Sequence, residues 1–267
     1  MRYFSVNVRK EPTAYNFMPT LQLYLVEGND KPRPIVVIAP GGGYLNVCIK
    51  EDGDKTALQY NAAGFHAAVL NYCVKPHHFP EPQTDLALSI KLLRDNAEDW
   101  GIDKNMIVVC GFSAGGHLCA SLSTLWNNDS LFTLSEIRSE IYKPNASVLC
   151  SAILTAKIPH CKDFLAAHVG GDPEKLKLVS CDEQVDEKTP PAFLYNTFED
   201  QLTNVENVLY YAESLKKHNV PFELHVFPKG NHGAPWCDDA IWSKPVKSRD
   251  YGFLKLSIEW IKEIFDL

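Results

Sequence analysis

The sequence predicts an α/β fold in which a mostly parallel β-sheet is covered by helices on both faces. Short apolar runs alternate with amphipathic segments along the chain. Residues 35–39 are continuously apolar, as expected of a strand buried on both faces. In residues 83–96, the apolar residues recur at helical spacing. Strands that alternate with helices in this way form parallel sheets.

Each element follows from its own pattern, taken in chain order. Apolar, strand-like runs predict strands at residues 20–26, 35–39, 65–72, 106–110, 147–154, 192–197 and 223–227. Helix-like runs predict helices at residues 54–63, 83–96, 117–125, 205–215 and 254–265, where stripes such as Leu86, Ile90 and Leu93 occupy one face. No repeat, low-complexity tract or linker divides the chain, so we expect one domain over residues 1–267.

Two connections are longer than usual, at about residues 126–145 and 155–191. They are either insertions that shape or cover a ligand pocket, or plain surface segments. The sequence leaves both interpretations open.

Composition excludes several classes of protein. The chain has 267 residues, 45% hydrophobic and 22% charged, and a net charge of −7, as in soluble globular proteins. A nucleic-acid partner is not expected because there is no basic footprint for phosphates. No run approaches the roughly 18 apolar residues of a membrane span. Charges interrupt the N-terminal segment, so we expect no secretory signal, a cytoplasmic location and reduced thiols for the eight cysteines.

The most informative motif is Gly111-Phe112-Ser113-Ala114-Gly115. It stands between the predicted strand at residues 106–110 and the predicted helix at residues 117–125. Strand, G-x-S-x-G and helix are the layout of a nucleophile elbow, in which a serine is presented at a strained turn. Gly111 and Gly115 lack the Cβ atoms that would collide there. Ser113 is therefore the predicted nucleophile for attack on an acyl carbon.

An oxyanion hole is predicted from Pro40-Gly41-Gly42-Gly43-Tyr44, which directly follows the strand at residues 35–39. Consecutive glycines let backbone N–H groups point at one spot, where they stabilise a developing negative charge. The expected donors are the N–H groups of Gly42 or Gly43 and of Ala114, the residue after the nucleophile. Tyr44 and Trp236 flank the motifs, and either line the substrate pocket or simply pack.

The base is predicted to be His232, in a glycine-flanked loop after the last predicted strand. Among the alternatives, His117 is expected to pack or cap on the helix after Ser113, His225 lies within a strand, and His77 and His78 could rim a pocket.

The acid should lie between serine and base in the chain. Asp200 follows the strand at residues 192–197, and Glu199 is its rival; adjacent residues seldom face the same way, and we favour Asp200. Asp238 and Asp239 come after His232, in the wrong order. Neither an H-E-x-x-H nor a paired C-x-x-C motif is present, so we expect no metal, and no cofactor is needed.

The chain resembles the α/β-hydrolase superfamily, and more narrowly the acetyl-xylan-esterase-like branch of bacterial carboxylesterases. Residues 40–44, 80–85, 94–118, 189–191, 199–200 and 220–233 carry the resemblance. It implies Ser113, Asp200 and His232 as a catalytic triad, in agreement with the choice from the residues alone. Family members often have Val-Pro where this chain has Thr203 and Asn204, a departure expected to matter little because the segment leads into a helix.

The sequence therefore predicts a serine carboxylesterase that acts on a small-molecule ester with a short acyl chain, acetyl first, possibly on a sugar. Two alternatives stay open: an acyl-aminopeptidase or peptidase-like serine hydrolase, and a non-catalytic binding protein with a hydrolase-like fold. Residues 156–180 match the family poorly and are expected to border the pocket, so they bear on the substrate. The oligomeric state is left undetermined.

Overall fold

The computed structural model describes residues 1–28, 31–128, 140–233 and 252–267. These residues form an eight-stranded sheet of order β1-β2-β4-β3-β5-β6-β7-β8. β1 pairs antiparallel with β2, and β2 with β4, whereas all other neighbours are parallel. The mostly parallel sheet is thus confirmed. The strands are β1 Arg2–Asn7, β2 Thr20–Leu25, β3 Arg33–Ala39, β4 His66–Asn71, β5 Ile102–Phe112, β6 Ala146–Cys150, β7 Ala192–Thr197 and β8 Phe222–Phe227.

Helices connect the strands. The described α-helices are α1 Lys55–Ala62, α2 Glu81–Asp95, α3 Ala97–Trp100, α4 Ala114–Leu125, α5 Pro159–His168, α6 Pro173–Leu178, α7 Cys181–Gln184, α8 Glu206–Lys217 and α9 Phe253–Ile264. A π-helix, Ile49–Asp54, leads directly into α1, and a 3₁₀ turn spans Glu140–Tyr142. No helix in the described part of the chain has the length and apolar character needed to cross a membrane.

The sheet separates two apolar layers. Successive side chains of a strand point to opposite faces, so Val36 and Ile38 of β3 pack with α1 and α9, while Ile35 and Val37 pack with α2, α4 and α8. Burial on both faces explains why β3 is a continuous apolar run rather than an alternating one. The predicted helices on both faces are confirmed.

Three features differ from the predicted elements. β1 was not predicted, and its side chains are mostly exposed at the sheet edge. The connection at residues 155–191 contains α5, α6 and α7. The strand predicted at residues 147–154 ends at Cys150, because Ser151 takes a φ of 45° and turns the chain out of the sheet. The seven described cysteines are free thiols.

Candidate active site

Ser113 lies at the sharp turn between β5 and α4. Its φ is 53° and its ψ is −117°, a backbone conformation that few non-glycine residues adopt. Its N–H donates to the carbonyl of Cys150 at 3.0 Å, and its own carbonyl accepts from His117 N–H at 3.0 Å. The serine is thereby held between the end of β6 and the first turn of α4.

Backbone contacts explain the glycines on either side of Ser113. A Cβ on Gly115 would lie 2.0 Å from the carbonyl oxygen of Ala39, and one on Gly111 would lie 2.2 Å from that of Gly115. Real Cβ atoms do not approach backbone oxygens so closely. Glycine at position 115 therefore lets the elbow pack against the end of β3, and glycine at position 111 lets the turn itself close.

The structure brings Ser113, His232 and Asp200 into one hydrogen-bonded chain. His232 Nε2 lies 3.0 Å from Ser113 Oγ, and His232 Nδ1 lies 2.9 Å from Asp200 Oδ2. The three residues follow β5, β8 and β7 respectively, so all lie at the carboxyl edge of the parallel strands. An acceptor at Nδ1 fixes the tautomer with its proton there, which leaves Nε2 free to take the proton of Ser113.

Asp200 is completely buried. Burial alone would raise the pKa of Asp200, but hydrogen bonds and charge from His232, together with the N–H and hydroxyl of Thr203, hold it below its ordinary value. Leu202 N–H also donates to this carboxylate. The group is therefore an ionised acceptor for the imidazole.

Thr203 corrects one expectation from the sequence. Its N–H donates to Asp200 Oδ1 at 2.9 Å, and its hydroxyl donates to Asp200 Oδ2 at 2.8 Å. The departure from Val-Pro was expected to matter little because the segment leads into a helix, but that reason does not hold for Thr203, which contacts the predicted acid directly. Its hydroxyl adds a bond to the carboxylate that a valine could not supply.

Glu199, the rival acid, points elsewhere. It accepts from Lys229 Nζ at 2.6 Å and from Gly230 N–H at 3.2 Å, and its hydrogen bond with Lys229 lowers its pKa. It thus contacts the loop that carries His232 but does not contact the imidazole. Adjacent side chains do face different ways here.

The glycine loop after β3 lies beside the elbow. Gly42 has a φ of 130° and Gly43 a φ of 66°, and a Cβ on Gly42 would lie 2.2 Å from the carbonyl oxygen of Asn46. The N–H of Gly41 is taken by Asp52 Oδ2 at 2.8 Å. Gly42 and Gly43 border the same cavity as Ser113, and Ala114 opens α4, where helix N–H groups point outward without an intrahelical partner.

A cavity of about 660 Å³ opens at Ser113. Its described wall is largely apolar, with Phe112, Ile153, Phe164 and Leu202. Two carboxylates, Glu51 and Asp52, face it, and no lysine or arginine is among its described lining residues. From the connection at residues 155–191, α5 contributes His160, Cys161 and Phe164.

Tyr44 is placed in the core rather than on the cavity wall. It is 2% exposed, its ring stacks on His168 with centroids 3.8 Å apart, and its hydroxyl bonds to His117 Nδ1 at 2.8 Å. His117 Nε2 in turn donates to the carbonyl of Val179. His117 therefore packs, as predicted, and of the two roles left open for Tyr44, its inward-turned side chain takes the packing role rather than lining the cavity. Trp236 lies outside the described residues.

Comparison with known proteins shows the family and the fold of this chain. The sequence profile of the BD-FAE family matches residues 21–215. The chain belongs to this family. Among solved structures, the chain is similar to the acetyl ester-xyloside bifunctional hydrolase from Caldicellulosiruptor lactoaceticus, with a TM-score of 0.83, 32% identity and coverage of 99% of this chain and 97% of that one. The fold of this BD-FAE member is the α/β-hydrolase fold.

Two curated relatives are longer than this BD-FAE chain. Endo-1,4-beta-xylanase B of Butyrivibrio fibrisolvens is 31% identical over 239 residues, which cover 86% of this chain and 37% of that protein. An acetylxylan esterase of Xylanibacter ruminicola is 29% identical over 212 residues, which cover 77% of this chain and 42% of that protein. The chain thus spans about two fifths of the length of these relatives.

Asp52 is a functional candidate that the sequence analysis of this BD-FAE member missed. It stands in the acidic run Glu51-Asp52-Gly53-Asp54, which reads as a solvated surface. The π-helix instead turns Asp52 toward the cavity, next to Gly41. The pKa of this carboxyl is raised to about 6, mainly by burial; the hydrogen bond from Gly41 opposes the shift, the neighbouring Glu51 adds to it, and His232 lowers it. In the sequence, the only sign of this role for Asp52 is that it is a carboxylate eleven positions after Gly41, the first glycine of the loop.

The raised pKa predicts a pH-dependent cost of this charge. A pKa that is higher in the folded state means that Asp52 favours folding at low pH, and that this contribution is lost as pH rises through about 6. A rise of this pKa from 3.8 to about 6 corresponds to about 3 kcal/mol, which we reduce to roughly 1–2 kcal/mol because the side chain is partly exposed. The free energy of unfolding of Asp52→Asn, measured in urea, should therefore exceed that of wild type by this amount near pH 8. The two proteins should be equally stable near pH 4. A variant that is less stable than wild type near pH 8 would contradict this expectation.

Three side chains with potential metal-ligand atoms lie close together, but their hydrogen bonds leave no free ligand on His77 for a metal ion. Atoms of Cys73, His77 and Glu81 lie within 4.8 Å of one another. However, His77 Nε2 bonds to Thr13 Oγ1 at 2.7 Å, and His77 Nδ1 bonds to the carbonyl of Val74 at 2.8 Å. Both ring nitrogens are thus engaged, and no lone pair of His77 is available for coordination.

Proposed function

We propose that this chain is a serine carboxylesterase that hydrolyses short-chain acyl esters, acetyl esters of sugars among them. The observation that carries the proposal is the hydrogen-bonded chain from Asp200 through His232 to Ser113, with distances of 2.9 and 3.0 Å. A serine, a base within hydrogen-bond reach and an acid that orients the base are the parts that nucleophilic acyl transfer requires.

In the first half of the proposed reaction, Ser113 Oγ attacks the acyl carbon while His232 Nε2 takes its proton. Asp200 stays ionised, holds the imidazole in place and stabilises the imidazolium that forms. The tetrahedral intermediate collapses when the C–O bond to the alcohol breaks and His232 returns the proton to the leaving oxygen. The acyl group is then bonded to Ser113.

The oxyanion of each tetrahedral intermediate needs preorganised donors. The N–H groups of Gly42 or Gly43 and of Ala114 serve this role in the proposal, because the two glycines border the cavity at Ser113 and Ala114 directly follows Ser113 at the start of α4. Ala114 adds the positive end of the α4 dipole. One such donor typically contributes about 10²–10³ in kcat.

In the second half, water replaces the alcohol. His232 takes a proton from the water, the hydroxide attacks the acyl carbon, and Ser113 leaves with the proton returned by His232. The products are a carboxylic acid, an alcohol and the free enzyme. This sequence needs no group besides the chain and water.

Two observations support acetyl esters of neutral alcohols. The relatives include proteins named acetylxylan esterase and acetyl ester-xyloside bifunctional hydrolase. The described cavity wall combines apolar surface for an acyl group with the carboxylates of Glu51 and Asp52. Carboxylates accept hydrogen bonds from hydroxyl groups, whereas they repel an acidic substrate.

The proposal is tested with a substrate panel and a covalent probe. We expect turnover of p-nitrophenyl acetate, with kcat/KM at least about tenfold above that of the octanoate ester. Acetylated xylo-oligosaccharides should release acetate, and an aminoacyl p-nitroanilide should react far more slowly. A fluorophosphonate should add one equivalent, located by mass spectrometry at Ser113.

Three outcomes would contradict the proposal. Absence of turnover of every ester would exclude the esterase, and faster cleavage of the anilide would favour the peptidase-like alternative. Labelling at another residue would exclude Ser113 as the nucleophile. Heat-unfolded protein is the control, because its Ser113 has no adjacent base and should not be labelled.

A further inference from the structure

The glycine loop is tied to the segment that follows it. Gly41 donates its N–H to Asp52 Oδ2 at 2.8 Å, and its carbonyl accepts from Cys48 N–H at 3.0 Å. The carbonyl of Gly42 accepts from Leu45 and Asn46 N–H at 3.0 and 3.2 Å. Residues 41–52 thus close on themselves, and the N–H groups of Gly42 and Gly43 are not the donors in these contacts.

Asp52 is the side chain in this closure. A Cβ on Gly41 would lie 3.0 Å from Asp52 Oδ2 and 3.4 Å from Ser113 Cβ, so the carboxylate and the serine flank the same point. The other bonds that close residues 41–52 on themselves are between backbone groups. The carboxylate is therefore the one part of the closure that substitution can remove without altering the backbone.

The π-helix decides where Asp52 points. Wide helical turns of this kind are rare and are often found at functional sites. Within Ile49–Asp54, Asp52 faces the glycine loop, whereas Asp54 accepts a hydrogen bond from the Tyr24 hydroxyl at 2.7 Å. Asp52 and Asp54 therefore have different partners although they belong to one short helix. Of the two, Asp52 borders the cavity and Asp54 does not.

The groups that face Asp52 do not explain it as a stabilising charge. Glu51 is a like charge beside it, and burial disfavours the carboxylate more than the charge of His232, which borders the same cavity, favours it. Its described hydrogen-bond donor is the Gly41 amide. The role that fits these contacts is to hold that amide.

We propose that Asp52 is a positioning residue, whose acceptor oxygen holds Gly41 so that the N–H groups of Gly42 and Gly43 point at the oxyanion. This inference rests on the proposed function. Donors aimed at the oxyanion act in the transition state and much less in the substrate complex. Loss of the anchor should therefore lower kcat and leave KM nearly unchanged.

The kinetic test compares variants of Asp52 on p-nitrophenyl acetate. Asp52→Ala should lower kcat by about 10- to 100-fold, with KM within about threefold of wild type. Asp52→Asn keeps an acceptor oxygen at the same distance and should keep kcat within about threefold of wild type. Asp54→Asn, on the same π-helix but with Tyr24 as its partner, is the matched control and should match wild type.

Several results would overturn the inference. These are a kcat of Asp52→Ala within about twofold of wild type, a loss in Asp52→Asn as large as that in Asp52→Ala, or a change confined to KM. The second result would assign the effect to charge, and the third to substrate contact. If Asp52→Ala does not fold, Asp52→Ser, whose hydroxyl is too short to reach Gly41, replaces it with the same expectations.

A second measurement is independent of activity. Hydrogen–deuterium exchange of the peptide covering residues 40–48 should be faster in Asp52→Ala than in wild type, and unchanged in Asp52→Asn. Equal exchange in Asp52→Ala and wild type would overturn the anchor. If wild type hydrolyses no ester while the exchange result holds, the proposed function fails and the anchoring of the loop stands.

Discussion

Ser113→Ala should reduce kcat for acetyl esters by about 10⁶-fold and leave the fold intact. Alanine retains the backbone and Cβ of serine, so the strained φ of 53° is no more costly than before. What is lost is the Oγ atom that lies 3.0 Å from His232 Nε2. The measurement is initial-rate hydrolysis of p-nitrophenyl acetate, with thermal unfolding as the check on folding.

The residues of the proposed triad are expected to act as a unit, and a double variant tests this. Ser113→Ala/His232→Ala should be no slower than Ser113→Ala alone, because removal of the nucleophile already abolishes the role of the base. Ser121→Ala is a matched control on α4, since its buried hydroxyl has no partner among the described residues. An additive loss in the double variant, or a Ser113→Ala protein with wild-type activity, would rule out the triad.

Gly115→Ala should destabilise the protein by more than about 4 kcal/mol. Its Cβ would lie 2.0 Å from the carbonyl oxygen of Ala39 and 2.5 Å from that of Pro40. Both atoms belong to the backbone where β3 runs into the glycine loop, so no side-chain rotation relieves the contact. Close-packed interiors transmit such strain rather than absorb it.

Gly171→Ala separates this steric effect from the loss of glycine's flexibility. Gly171 has a φ of 80°, but a Cβ there would meet no atom within 4 Å. The expected cost is therefore only about 1–2 kcal/mol. Urea unfolding of the two variants is the measurement, and equal stabilities would contradict a steric origin for the requirement at Gly115.

Most of the sheet could be predicted because each buried strand is a local signal. β3 and β7 are buried on both faces, so their apolar runs are continuous. β1 has no such signal, since it lies at the edge with exposed side chains and is defined by backbone bonds to β2. Edge pairing depends on a partner distant in the chain, and periodicity does not report it.

The long connection at residues 155–191 shows the same limit. Its helices are short, and α6 has no buried side chain, so no apolar stripe indicates it. α5 nevertheless places His160, Cys161 and Phe164 at the cavity. Residues that shape a pocket need only face an open space, which leaves little pattern in the sequence.

The sequence by itself determined the α/β class, the elbow around Ser113 and the predicted partners Asp200 and His232, because strand ends, glycines and chain order are local features. Tertiary structure decided the rest. In the folded chain, the side chain of Tyr44 lies in the core, and the hydroxyl of Thr203 donates a hydrogen bond to Asp200. The carboxylate of Asp52, rather than that of Asp54, contacts the glycine loop. The reason is that motif and order place a residue at the edge of the sheet, whereas the direction of its side chain depends on neighbours from other elements.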